Sequence, residues 1–322
     1  MKIGVIGAGQ IGSRHIQGAL KVREHDLEID VVEPNQDATI LSKKRNEEIE
    51  SEHTVNYHQN IQGLEGKYEV VIVSTNSTNR LEITTDLLQK VDVKVLILEK
   101  VVFQSIEEFT SLEENLKDKN TLVYVNHPRR MYGYYQDLKN ELKQSKQTIS
   151  HIHVLGNDWG LACNGLHFID LASFLMDKNP ISVSNNHLED ISPSKRIGYI
   201  EFTGHLWVYF EQRSTLLLSS LIGNNRSTSI EIICADHKYH IEEGGRGIIS
   251  LFKNSKWISD TPITTPFQSE LTTHLIEDIL NNKAPKITPL QLSKTCHQSF
   301  IESLKNFTFK HSGEDYKRLP IT

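Results

Sequence analysis

A glycine spacing set directly behind a short apolar run constrains this chain more than any other feature. Residues 3–6 read as a buried strand, and the chain then enters Gly7-Ala-Gly9-Gln10-Ile11-Gly12, after which a helical pattern begins. In a strand–turn–helix unit the three glycines have separate tasks. The first permits the tight turn, the second lets the backbone approach a pyrophosphate, and the third lets the helix pack close to the strand. The helix N-terminus then points free N–H groups and its positive dipole end at the phosphates. A second apolar segment, residues 29–32, ends in Glu33. That residue lies about 20 positions beyond the last glycine, where a carboxylate holds the hydroxyls of an adenosine ribose. Gly7, Gly9, Gln10, Ile11, Gly12 and Glu33 are therefore candidate cofactor-binding residues. A carboxylate at 33 repels a 2′-phosphate, and Pro34, Asn35 and Gln36 supply no arginine for one, so NAD is expected in preference to NADP.

The bulk numbers exclude several other classes. With 322 residues, 38% hydrophobic and 24% charged, the chain is long enough for two domains with full cores. A net charge of −6 leaves no basic excess for a nucleic-acid partner. No apolar stretch approaches the roughly 18 residues of a membrane span, and the N-terminus reads as a strand rather than a secretory leader. Cys163, Cys234 and Cys296 lie far apart without a C-x-x-C pair, which suits a reducing compartment and no disulfide. The expectation is a cytoplasmic protein. His151 and His153 alternate on a strand and share a face, but no third ligand stands nearby, so no metal site is expected.

Strand and helix patterns alternate through residues 1–125, with strands at 2–6, 29–33, 70–74, 95–99 and 122–126 and helices at 11–19, 79–89 and 106–116. Such repeats give a parallel, doubly wound α/β sheet of the Rossmann type. The run 70–73 is apolar throughout, as a strand covered on both faces should be. Residues 126–322 read differently. A helix at 133–144, a strand at 149–155 and a helix at 165–176 precede strands at 198–202, 206–210, 215–221, 229–234 and 239–242, then helices at 271–281 and 289–303. Adjacent strands with short turns predict an α+β domain on an open, mainly antiparallel sheet. The charged stretch 43–52 reads as a solvated helix face.

Five segments in this order make the chain resemble the glucose–fructose oxidoreductase / inositol dehydrogenase (Gfo/Idh/MocA) family. They are Gly7-x-Gly9-x-x-Gly12-x-x-His15, Ser74-Thr75-Asn76-Ser77, Glu99-Lys100-Val101, Asn126-His-Pro-Arg129-Arg130 and Gly165-Leu-His167-Phe-Ile-Asp170. The resemblance implies a nicotinamide cofactor between a Rossmann domain and a substrate domain, and a sheet face that makes a homodimer or homotetramer. It adds Ser74, Thr75, Asn76, Glu99 and Lys100 to the cofactor set. Two departures stand out: Val101 replaces the proline that follows the lysine, and Cys163 replaces the aspartate four residues before the histidine.

The chemistry expected of these residues is hydride transfer at a hydroxyl-bearing carbon. Lys100, at the carboxyl edge of a parallel sheet, is placed to stabilise charge developing on oxygen. An imidazole titrates near neutrality, so His167 is the candidate proton acceptor. Asp170, one helical turn on, is placed to orient that ring. Arg129 and Arg130 either bind an anionic group of the substrate or pair with acids at the domain junction, and Asn164 joins the substrate-side candidates. Cys163 reads as an inert thiol. The expected substrate is a sugar, polyol or nucleotide sugar, with surface-glycan sugar biosynthesis as the context the resemblance suggests. Two alternatives stay open: a non-catalytic dinucleotide-sensing regulator, and an NAD-dependent glycosidase.

Overall fold

The computed structural model describes residues 1–224, 228–244 and 246–322. The chain divides into two units. The first opens with β1 (Lys2–Ile6), α1 (Gly12–Leu20), β2 (Glu28–Val32), α2 (Gln36–Asn46), β3 (Thr54–His58), β4 (Lys67–Val73), α3 (Arg80–Lys90), β5 (Asp92–Glu99), α4 (Ile106–Leu116) and β6 (Leu122–Asn126). The second contains α5 (Gly133–Gln144), β7 (Ile149–Asn157), α6 (Leu161–Met176), β8 (Pro180–Pro193), β9 (Ile200–Phe210), β10 (Thr215–Leu221), β11 (Thr228–Cys234), β12 (His237–Glu242), β13 (Ile248–Lys253) and β14 (Lys256–Pro262). The chain then returns to the first unit with α7 (Gln268–Leu280) and β15 (Thr288–Pro289), and α8 (Leu290–Ser312) closes the second. A single cut at 125/126 therefore gives only part of the path, because Pro266–Leu290 cluster with the N-terminal unit.

The first sheet has the order β15-β6-β5-β4-β1-β2-β3. Its strands are parallel except β15, which pairs antiparallel with β6. The order reverses at β1, so the carboxyl ends of β1 and β4 flank the switch point where ligands bind in open α/β sheets. Val70 to Val73 and Leu96 to Leu98 are completely buried, as strands sandwiched between helix layers require. The close approach of α7 to α1 explains a glycine whose role the sequence pattern left open. A Cβ on Gly18 would lie 2.5 Å from the Ser269 carbonyl oxygen and 2.5 Å from the Thr272 Cβ.

The second sheet runs β14-β13-β12-β11-β7-β10-β9-β8 and is antiparallel except for the β7–β10 pair. Helix α6 packs on β7, β9 and β10. Ile152, Val154, Leu206, Val208, Phe210, Leu216, Leu218, Ile230 and Ile232 are buried under that layer. The alternate residues of the same strands point the other way, and His151, His153, Leu155, Trp207 and Tyr209 remain partly exposed. The two strands expected at 198–202 and 206–210 are one continuous β9. Gly204 sits at their junction with φ +103, where a Cβ would come within 2.6 Å of the His187 carbonyl oxygen on β8. A glycine there lets the strand pass a register shift without breaking.

Gly18→Ala tests the α1–α7 contact. Alanine gains helix propensity, but its methyl meets backbone that has no room to retreat. The substitution should destabilise the fold by about 1–3 kcal/mol, read as a lower midpoint in urea denaturation.

Candidate active site

The glycine turn is sterically obligatory. Gly7 has φ +92, and a Cβ on Gly12 would fall 1.8 Å from the Gly7 carbonyl oxygen. Ser74, the residue after β4, braces the same turn: its hydroxyl donates to the Gly7 carbonyl at 2.7 Å and the Ile6 carbonyl at 3.1 Å. Gly9 differs from its neighbours, because a Cβ there would enter open space. Arg45 of α2 holds the outside of the loop through Gln10 Oε1 at 2.7 Å and Ser13 Oγ at 2.5 Å. The Gln10 side chain is thus tied back to protein.

Glu33 stands beside this turn, its Oε2 accepting the Ala8 N–H at 2.7 Å and its Oε1 the Asn35 N–H at 2.9 Å. Each oxygen keeps a lone pair for a further donor. Two buried side-chain oxygens in the same unit, Thr75 Oγ1 and Asn126 Oδ1, have no protein partner. Native proteins seldom leave such atoms unsatisfied, and an unmet polar atom at a sheet edge is a reason to look for a ligand. Open space over Gly9, a carboxylate beside the turn and two unmet oxygens fit a dinucleotide with ribose hydroxyls and a carboxamide. Asn76 is exposed.

At the end of β5, Glu99 is fully enclosed. Its Oε1 accepts His15 Nε2 from α1 at 2.9 Å and Asn126 Nδ2 from β6 at 2.6 Å. His15 Nδ1 meets Thr272 Oγ1 of α7 at 2.8 Å. Burial pushes the Glu99 carboxyl up, but the His15 and Asn126 hydrogen bonds outweigh it and hold the group below the usual carboxylate range. Lys100 follows immediately, and the Lys100–Val101 peptide is cis although Val101 is not proline. Arg80, at the start of α3, reaches beneath this segment. Its Nη1 donates to the carbonyls of Glu99 at 2.6 Å, Val102 at 3.0 Å and Val101, and its Nη2 donates to the carbonyl of Thr75. No motif marked Arg80. The available signal was an arginine opening a helix, where the helix dipole disfavours a cation.

In the second unit α6 carries Cys163, Asn164, His167 and Asp170. Its N-cap is Gly160 with φ +78, and Glu201 from β9 caps its first turn, accepting the Ala162 N–H at 2.7 Å and the Cys163 N–H at 3.2 Å. Asn164 Nδ2 donates to the Trp159 carbonyl at 2.7 Å. A cavity of about 310 Å³ opens here, lined by Trp159, Cys163, Asn164, Arg196, Glu201 and Thr203 among others. Cys163, Asn164 and His167 are partly exposed, whereas Asp170 is fully buried.

Each arginine of the 129/130 pair meets a carboxylate. Arg129 makes a two-pronged contact with Glu243, through Nη2 at 2.6 Å and Nε at 2.9 Å, and lies 4.3 Å over the Phe168 ring. Arg130 does the same with Asp170, through Nε at 2.6 Å and Nη2 at 2.9 Å. Both arginines pair with acids of their own unit. Asp170 serves as the counter-ion of Arg130. Among the described residues no group of histidine, cysteine and carboxylate side chains has the arrangement of a metal site, and no helix is long and apolar enough to cross a membrane.

A parallel sheet with a glycine turn, an acid after β2 and a lysine after β5 defines the dinucleotide-binding half of an oxidoreductase. Residues 1–127 match the model of the GFO_IDH_MocA family, the oxidoreductase family with an NAD-binding Rossmann fold. No curated protein sequence matches the chain. Solved structures share the fold across both units. UDP-N-acetylglucosamine 3-dehydrogenase GnnA from Acidithiobacillus ferrooxidans is 14% identical with a TM-score of 0.70, covering 94% of this chain and 97% of that one. Myo-inositol dehydrogenase from Lactobacillus casei, solved with NAD(H) and myo-inositol, is 14% identical with a TM-score of 0.68, covering 97% and 95%. Scyllo-inositol dehydrogenase from the same organism, with NAD(H) and scyllo-inositol, is 16% identical with a TM-score of 0.67, covering 95% and 96%.

Glu99→Gln tests the buried carboxylate. A depressed carboxyl contributes stability that is present above its unfolded pKa of about 4.3 and lost as pH falls through the lower folded value. The variant should be less stable than the parent by about 1–3 kcal/mol at pH 7. That gap should narrow as pH falls below about 4. Urea denaturation at pH 7 and at acidic pH checks both statements.

Proposed function

We propose that this chain is an NAD-dependent dehydrogenase that moves a hydride between the nicotinamide and a hydroxyl-bearing carbon of a sugar, polyol or nucleotide sugar. The observation that carries the reading is the seating of Lys100. It directly follows a buried, hydrogen-bonded glutamate at the carboxyl edge of the sheet whose first turn is built for a dinucleotide. The activities of the inositol and UDP-N-acetylglucosamine dehydrogenases that share the fold support the substrate class.

Gly7, Gly9 and Gly12 form the pyrophosphate turn, Glu33 accepts the ribose hydroxyls, and Thr75 and Asn126 meet remaining polar groups of the cofactor. When bound, the nicotinamide supplies the hydride acceptor in one direction and the donor in the other. Lys100 donates to the substrate oxygen and stabilises the negative charge that develops there as the carbon–hydrogen bond breaks. His167 takes the hydroxyl proton and returns it in the reverse direction. Glu33 leaves no place for a 2′-phosphate, so NAD is the working cofactor.

Net NADH production from myo-inositol, scyllo-inositol or UDP-N-acetylglucosamine tests the reading. Lys100→Met should lower turnover about 10²-fold or more. His167→Ala should lower it by about 10² to 10⁴ and flatten the pH profile near neutrality. Both variants should bind NAD like the parent, whereas Gly9→Val should not bind it. Full activity in His167→Ala rejects the proton role. Release of an aglycone without net NADH identifies a glycosidase instead.

We further propose that the sheet face opposite α6 joins a second copy of the chain in a homodimer or homotetramer. Trp207, Leu217 and His153 are neighbours across β9, β10 and β7, and Tyr209 is 43% exposed beside Thr215 and His151. An aromatic, largely uncharged surface of this kind is what self-association buries. Light scattering at micromolar concentration should give a multiple of 36.8 kDa; a monomer mass would count against this interface.

A further inference from the structure

Arg80 is only 1% exposed and occupies the first position of α3. A cation there faces the positive end of the helix dipole, and a buried guanidinium forfeits its hydration. Neither fold propensity nor helix stability accounts for its presence. Its surroundings do. The guanidinium donates to four backbone carbonyls drawn from two loops that are distant in sequence. Three of these, on Glu99, Val101 and Val102, bracket Lys100 on both sides. The fourth, on Thr75, lies in the loop after β4. These are also the carboxyl ends of adjacent strands, since β4 and β5 pair in parallel.

We propose that Arg80 is a positioning residue for hydride transfer: it fixes the peptide planes around Lys100 against the Thr75 loop. The inference rests on the proposed function for what Lys100 does, but its geometric part stands on contacts within one unit. Arginine suits the task for two reasons. Its planar fork holds several donors in a fixed relation, so each carbonyl constrains the others. It also keeps its charge at all working pH values, so the brace does not titrate alongside the acid–base chemistry. Lysine offers a compact charge on a flexible stem and cannot reproduce a planar array of contacts. Because these carbonyls belong to the main chain, no substitution at Lys100 or Thr75 removes them. Arg80 is the only handle on this contact.

The test compares Arg80→Lys and Arg80→Gln with the parent and with Lys100→Met. Hydrogen–deuterium exchange of the full chain reads the backbone without any substrate. NAD titration reads the cofactor half, and NADH production from the two inositols and UDP-N-acetylglucosamine reads Lys100. In Arg80→Lys we expect faster exchange confined to residues 75–78 and 99–103, with the rest of the sheet protected as in the parent. Turnover should fall about 10²-fold with KM little changed, the mark of a misplaced group rather than lost binding. Guanidinium ion added to Arg80→Gln should restore part of the rate. Lys100→Met should lose turnover with parental exchange. Parental exchange in both segments of Arg80→Lys overturns the proposal. So does uniformly raised exchange with parental turnover per folded molecule. If the parent itself yields no NADH from any of the three substrates, the proposed function fails, while exchange and NAD affinity still decide the role of Arg80.

Discussion

The N-terminal unit is organised around one enclosed carboxylate. Glu99 ends the interior strand β5, and its Oε1 receives a histidine from α1 and an asparagine from β6. The histidine in turn reaches a threonine on α7, a helix that arrives more than 250 residues later. Burying a carboxylate is unfavourable unless its lone pairs are met. The cost therefore selects the one arrangement in which α1, β6 and α7 all take their places. A slip of any of them would leave a charge or a polar group unpaired in a dry interior, a loss of about 1–3 kcal/mol or more for each hydrogen bond. The same residue sets the height at which Lys100 leaves the sheet. Packing specificity and the placement of the proposed catalytic cation thus have a common origin.

Arg80 supplies the complementary half of this arrangement. Glu99 anchors the segment by its side chain, and Arg80 holds it by its main chain. Four carbonyl acceptors from two loops orient the guanidinium. In the second unit the charges are handled differently. Arg129 and Arg130 each meet a carboxylate through two donors, with Glu243 and Asp170 largely enclosed. Such pairs contribute little net stability against apolar packing, but losing one partner is severe because it strands the other charge. They tie the segment before α5 to α6 and to the turn after β12.

The parts legible in the sequence are those where sterics or double-sided burial leave few choices. Residues 2–6 and 122–126 were read as strands and are β1 and β6 with the same ends. The run 215–221 is β10 with the same ends. The glycine turn was legible because no other residue closes it. Strands without apolar alternation were not. Thr54–His58, Pro180–Pro193 and Lys256–Pro262 form β3, β8 and β14, all at sheet edges, where one side faces water and the pattern carries no core signal. The charge run at 43–52 predicts a helix face throughout, but α2 stops at Asn46. Arg80 was illegible for a related reason. Its partners are main-chain carbonyls, and a carbonyl leaves no trace in residue identity. The Arg129 pairing is not legible because Glu243 lies more than 100 positions away, in a turn with no motif of its own.

At the start of α6 a carboxylate from a neighbouring strand meets the helix N-terminus. Cys163 stands where the resemblance leads one to expect an aspartate, so that position brings no carboxylate of its own. Glu201 brings one from β9. Both of its oxygens engage the first N–H groups of the helix, at Ala162 and Cys163. Those N–H groups carry the positive end of the helix dipole, and a carboxylate in contact with them lowers the energy of the helix end. With Glu201 seated there, the helix end is already satisfied and no longer attracts an anion from solution. His167, one helical turn beyond Cys163, is partly exposed on α6.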